Sequence, residues 1–163
     1  MATLTAVNPK MVKGPVMETV TKLILNGQSW SAGEVLYVDT SGLLNTCATD
    51  ADAGTGGIKY LALADQADPG NSTTEVEVGV ITSQHEFEGN ELDGAVSDAN
   101  VGEQYGINVT SNVVTVDVGD TTNPAVVITD RGPQWSPAEY ETSDVKGKLR
   151  FRYLTTVLEA TPA

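Results

Sequence analysis

The stretch Glu75-Val76-Glu77-Val78-Gly79-Val80-Ile81-Thr82 alternates strictly, with Val76, Val78 and Val80 on one face and Glu75, Glu77 and Gly79 on the other. Successive side chains of a strand point to opposite faces, so this period of two predicts a half-buried β-strand. The same texture recurs on both sides. KLILN (22–26), EVLYVD (34–39), LLNTCAT (43–49), QYGINVT (104–110), VVTVDV (113–118) and AVVITD (125–130) are short β-type runs separated by Gly, Asn and Ser turns. Two pairs read as hairpins: EVLYVD and LLNTCA around Thr40-Ser41-Gly42, with Gly42 at positive φ, and QYGINVT with VVTVDV around Ser111-Asn112. IKYLALA (58–64) fits a strand or a turn or two of helix, and DADAGTGG (50–57) a flexible loop. HEFEGNELDGAVSDANVGE (85–103) is read as a polar loop, and RGPQWSPAEYETSD (131–144) as an ordered loop whose Trp135 and Tyr140 pack onto something.

Strands at this spacing, without an amphipathic helix, predict an all-β protein, a small barrel or sandwich. Residues 1–20 carry Pro9, Gly14 and Pro15, which forbid a long helix and favour an extended N-terminal arm. The expected organisation is that arm followed by a single β domain over residues 21–163. At 163 residues one domain buries roughly 70% of its extended surface. The 40% hydrophobic content predicts folding in spite of a net charge of −13.

That acidity repels phosphate backbones and anionic lipid, which argues against nucleic-acid and membrane partners. The N-terminal sequence has no signal-peptide apolar stretch, no segment approaches a membrane span, and the chain is expected to begin where the sequence does. The sequons at Asn71 and Asn108 are then chance matches to a short pattern. Cys47 stands alone and reads as a buried, inert thiol.

Motifs that could carry chemistry are sparse. Asp39-Thr40-Ser41-Gly42 resembles an aspartic-protease triplet with one residue inserted and has no second copy, so it reads as a hairpin turn. His85 is the single histidine, without a nucleophile-elbow pattern. Glu86, Glu88, Glu91 and Asp93 are hard oxygen donors, but their spacing matches no EF-hand, so calcium stays open against a solvated acidic loop. No phosphate-binding glycine motif occurs. The expectation is a non-enzymatic chain with no cofactor and no metal.

Charge is sorted along the chain. Between Tyr60 and Asp130 there are thirteen Asp and Glu and no Lys or Arg, whereas KGKLRFRYL (146–154) holds Lys146, Lys148, Arg150 and Arg152 at every second position. As a strand, the segment carries a cationic face opposite Leu149, Phe151 and Tyr153. Neighbouring cations about 7 Å apart repel by roughly 0.6 kcal/mol in water. A nucleic-acid groove lacks its interleaved aromatics here, because Phe151 and Tyr153 point to the opposite face, and two stronger readings follow. One is an intramolecular ladder, with Glu75 and Glu77 as cross-strand partners. The other has this face and the basic arm, with Lys10, Lys13 and Lys22, meeting an acidic surface on another copy or another protein. Trp30, Trp135 and Tyr140 offer a further alternative, an aromatic platform for a receptor or carbohydrate, against core packing of the same rings.

From Gly27 to Asp130, about two-thirds of the chain, the succession AGEVLYVDTSGLLNTCATDADAG, YLALAD, EVEVGVIT, VGEQYGINVTSNVVTVDV and AVVITD resembles the capsid decoration, or cement, proteins of tailed phages. Residues after 130 are not part of that pattern. The resemblance implies a small, mostly β, non-enzymatic virion protein, often trimeric, with a dimer as the alternative. It would be made in the host cytoplasm and bind the major capsid protein on the outer surface of the shell, frequently through an extended terminal arm. The residues expected at partner or inter-subunit contacts are Lys10, Lys13, Trp30, Trp135, Lys146, Lys148, Arg150 and Arg152.

Overall fold

The structure, a computed structural model, describes residues 5–47, 57–131 and 146–159. Over these residues the protein is nearly all β, as the alternation predicts. Its strands are β1 (Lys10–Lys13), β2 (Thr19–Ile24), β3 (Val35–Val38), β4 (Leu43–Thr46), β5 (Tyr60–Ala62), β6 (Glu75–Val80), β7 (Glu86–Asn90), β8 (Gln104–Thr110), β9 (Val113–Asp117), β10 (Val126–Asp130) and β11 (Lys148–Tyr153), followed by one helical turn, α1 (Thr155–Leu158). No described helix is long and apolar enough to cross a membrane.

Strands β2, β4, β3, β5 and β6 close into a barrel. EVEVGV takes part as expected: β6 pairs with β2 on one side and β5 on the other. The predicted hairpin joins β3 to β4, with Gly42 at φ 82. Ile24, Trp30, Leu36, Leu44, Tyr60, Ala62 and Val78 fill the interior. The alternate residues Val35 and Leu61 point outward and join Cys47, Ile58 and Ile81 in a second core. EVLYVD and IKYLALA are continuous apolar runs because β3 and β5 are covered on both faces, the short-strand solution of that pattern.

The second core belongs to a six-stranded sheet ordered β1-β7-β11-β10-β8-β9. The predicted Ser111-Asn112 turn joins β8 to β9, with both residues at positive φ, 51 and 63, as a two-residue hairpin of the favoured twist requires. A parallel bridge from Glu91 to Val116 brings β9 back beside the end of β7. Phe87, Phe151 and Tyr153 pack together inside, with ring centroids 5.3 to 5.9 Å apart.

The sheet overturns the reading of residues 85–103 as a loop. Glu86–Asn90 is β7, paired with β1 on one side and β11 on the other. A strand holding a single large hydrophobe, Phe87, looks like loop sequence because its polar residues find their partners only on strands distant in the chain.

The N-terminal segment is laid onto this same body. Lys10 and Met11 pair with Glu88 and Phe87, and β2 follows from Thr19, so strand pairing shows no boundary at residue 20. Two carboxamides fasten the segment by standing in for peptide groups. Asn8 Nδ2 donates to the Asn112 carbonyl at 2.7 Å while its Oδ1 accepts from Val114 N–H at 2.8 Å. Asn90 Oδ1 accepts from Val7 N–H at 3.1 Å while its Nδ2 donates to the Lys146 carbonyl at 2.8 Å. Glycines make the room. A Cβ at Gly33 would stand 2.8 Å from both Asn8 Cβ and the Pro9 carbonyl, and one at Gly89 would stand 3.1 Å from Pro9 Cγ.

Candidate functional site

The cationic strand forms as predicted over Lys148–Tyr153. Leu149, Phe151 and Tyr153 are buried, and Lys148, Arg150 and Arg152 share the outward face, each partly covered. Its acidic partner differs from the one expected. Glu75 and Glu77 lie on β6 in the barrel, opposite β2, whereas β11 pairs with β7 and β10. The register sets Glu86-Phe87-Glu88 antiparallel to Arg150-Phe151-Arg152, with Phe87 opposite Phe151 and Glu88 opposite Arg150. Each phenylalanine enters the core, and the flanking charges share the outside.

Glu88 is the hub of that face. One carboxylate oxygen lies 4.0 Å from Lys148 Nζ and the other 3.8 Å from Arg150 Nε. Lys10 is opposite Glu88 from the other side, Lys13 is opposite Glu86, and Asp130 is opposite Arg150. Glu86 accepts a hydrogen bond from the Thr129 hydroxyl on β10 at 2.5 Å, its side chain reaching across β11. Arg152 Nε is buried without a hydrogen-bond partner among the described residues. An intramolecular ladder of charge therefore forms across β1, β7, β11 and β10. Among the described residues, five cations, Lys10, Lys13, Lys148, Arg150 and Arg152, share this face with three carboxylates, Glu86, Glu88 and Asp130, on a chain whose net charge is −13.

The remaining expected contact residues separate. Lys146 stands outside β11, in a turn at φ 57, so it does not share the strand's cationic face. Trp30 is only 3% exposed inside the barrel and cannot reach a partner; its indole is core packing, which removes it from any aromatic platform. Trp135 and Tyr140 lie outside the described residues. Asn8 and Asn90 carry no signal in the sequence, and Glu86 and Glu88 stand out there only as oxygen donors of an acidic run, not as partners of β11. The complementary triplets Glu-Phe-Glu and Arg-Phe-Arg are the signal that exposes that partnership.

Other titratable groups hold turns. His85 is 1% exposed; its Nδ1 accepts from Thr82 N–H at 3.0 Å, which leaves Nε2 to donate to the Pro15 carbonyl at 3.1 Å. Asp39 anchors the β3–β4 hairpin by accepting from Ser41 and Leu43 N–H and from Asn45 Nδ2. Burial pushes the Asp39 carboxyl upward, but those donors and Gly42 N–H outweigh it and hold it below the usual range. Glu34 and Glu91 are 2% and 1% exposed, and burial raises both carboxyls in spite of backbone donors, Ser31 N–H for Glu34 and Gly94, Asp93 and Val118 N–H for Glu91. The acidic run is thus split between a strand and a buried corner, and among the described residues no three His, Cys, Asp or Glu side chains gather where a metal could bind.

No protein-family model, curated protein or solved structure matches the chain.

Proposed function

We propose that the protein is a non-enzymatic structural protein that binds the outer surface of a viral capsid and stabilises it by bridging shell subunits. The observation that carries the reading is the cationic face over β1, β7 and β11, with Lys10 and Lys13 at its exposed edge, set on a strongly acidic body. Opposite potentials steer association and fix orientation, while the acidic remainder discourages wrong partners. Lys10 and Lys13 are exposed at this face, free to meet carboxylates of the major capsid protein. The capsid as partner comes from the resemblance of residues 27–130 to decoration proteins, and self-association as a trimer or dimer has the same source.

The test is sedimentation of the purified protein with assembled, expanded shells, together with the melting temperature of those shells. The protein is expected to co-sediment and to raise that temperature, and binding is expected to weaken as salt screens the exposed charges. Failure to sediment with shells at any ionic strength overturns the reading.

A further inference from the structure

A second surface is centred on β9 and adjoins the end of β7. Between the N-terminal segment, the β8–β9 hairpin and the chain entering β11 is a groove of about 380 Å³, lined among others by Ala6, Leu92, Thr110, Val113, Thr115 and Lys146. Its size is within the range of ligand-sized clefts.

The groove has a regular floor. Val113 and Thr115 are alternate residues of β9, while Val114 and Val116 fill the core, and Thr110 is opposite Val113 in the hairpin register. Alternate residues of a strand stand about 7 Å apart, the spacing that an extended chain laid over them presents in return. Thr115 is 5% exposed, and its hydroxyl reaches the Asn108 carbonyl only at 3.5 Å, long for such a bond.

The wall supplies a cation. Lys146 is held at φ 57 by its own N–H to the Gly94 carbonyl at 2.9 Å and by Asn90 Nδ2 on its carbonyl at 2.8 Å. Non-glycine residues seldom occupy that region, and here the backbone is pinned from both sides. Lys146 is the charged residue among those lining the groove, and it forms no ion pair among the described residues, although the chain carries 22 acids to 9 bases.

We propose that this groove docks a short extended peptide segment of another protein, one that carries a carboxylate beside small apolar side chains. The carboxylate meets Lys146, the apolar side chains lie on Leu92 and Val113, and the Thr110 hydroxyl, which donates to Asn108 Oδ1 at 2.6 Å, is left to accept from a peptide N–H. The inference does not depend on the capsid reading, and free peptide tests it separately.

The experiment titrates the ¹⁵N-labelled full chain with Ac-Val-Glu-Val-NH₂, with Ac-Val-Gln-Val-NH₂ and with sodium acetate, following backbone amide shifts. The Glu peptide is expected to give saturable shifts at Leu92, Val113, Thr115 and Lys146, with the Gln peptide about fivefold weaker, as a partly screened ion pair allows. Lys146→Asn tolerates the positive φ and is expected to remove that difference, while Lys146→Arg keeps it. Val113→Trp, which fills the groove, is expected to abolish both titrations. Absence of shifts at millimolar peptide, equal affinity for the two peptides, shifts centred on β11, or the same shifts from acetate alone would each overturn the proposal.

Discussion

Strands β6 and β7 are neighbours in the chain and opposites in construction. In β6, EVEVGV puts valines into a closed barrel and leaves Glu75 and Glu77 in solvent. In β7, EFEGN commits Phe87 to the core, buries Glu86 and Asn90, and half-covers Glu88 among cations. The first strand is specified locally by a period of two. The second is specified by residues far along the chain: Arg150 and Lys148 for Glu88, Thr129 for Glu86, and Val7 and Lys146 for Asn90. Hydrophobic alternation tolerates many sequences, whereas a polar strand inside a sheet needs particular partners, because each lost partner leaves a desolvated group behind.

The comparison is strained most by cavities. Phe151→Ala is expected to cost about 3–5 kcal/mol and Leu44→Ala about 2–5 kcal/mol, measured by chemical denaturation. Val35 and Leu61 of the barrel strands share the second sheet's core, so both variants are expected to move one common transition. Two separable transitions would show that barrel and sheet are independent.

Removing the polar hub comes next. Glu88→Gln takes the carboxylate from beside Lys148 and Arg150 and is expected to cost about 1–3 kcal/mol. Glu77→Gln, on the exposed face of the barrel strand, is expected to stay within about 0.5 kcal/mol. Equal effects would erase the distinction between the two strands.

Glycines sharpen it further. Gly33 and Gly42 both have positive φ, 90 and 82, but only Gly33 has the N-terminal segment against it. Gly42→Ala is expected to cost about 1 kcal/mol from backbone strain, and Gly33→Ala roughly 1–2 kcal/mol more, with increased amide exchange at Lys10–Lys13.

The smallest effect is on pH dependence. Buried Glu34 and Glu91 bind protons in the folded state above their ordinary value of 4.5. Between 4.5 and those raised values the folded state holds more protons than the unfolded one, so stability falls as pH rises through that window. Asp39 and Asp68 lie below their ordinary 3.8, Asp68 through N–H donors from Gly70 and Gly27. Their stabilisation is present above 3.8 and is lost as pH falls through the lower folded values. Melting temperatures are therefore expected to rise as pH falls through the raised values toward 4.5 and to drop as it falls below 3.8 through the lowered ones.

Much of this architecture is legible in the residues. The valine alternation of β6, Gly42 and Ser111-Asn112 at their turns, and the alternation of Lys148 to Tyr153 each predict what forms. The acidic complement of β11 was not legible in the valine-rich pattern, which drew attention to Glu75 and Glu77. Glu86 and Glu88 sit in a segment with one large hydrophobe, and their role depends on a register that local period cannot reveal. The N-terminal segment was hidden for a similar reason: proline and glycine announce an extended chain, but its site is cut by Gly33 and Gly89 elsewhere. Lys146 shows the limit of counting in twos, since its left-handed backbone takes it out of the strand that its spacing suggests.

The account rests most heavily on the face around β1, β7 and β11 as the surface that meets an acidic partner. Its direct test is shell affinity of the Lys10→Gln, Lys13→Gln double variant beside the unaltered protein, measured by sedimentation across a salt series. The account predicts affinity reduced on the order of tenfold at low salt, a shallower salt dependence and an unchanged melting temperature of the free protein. Affinity equal to that of the unaltered protein at every salt concentration would contradict it.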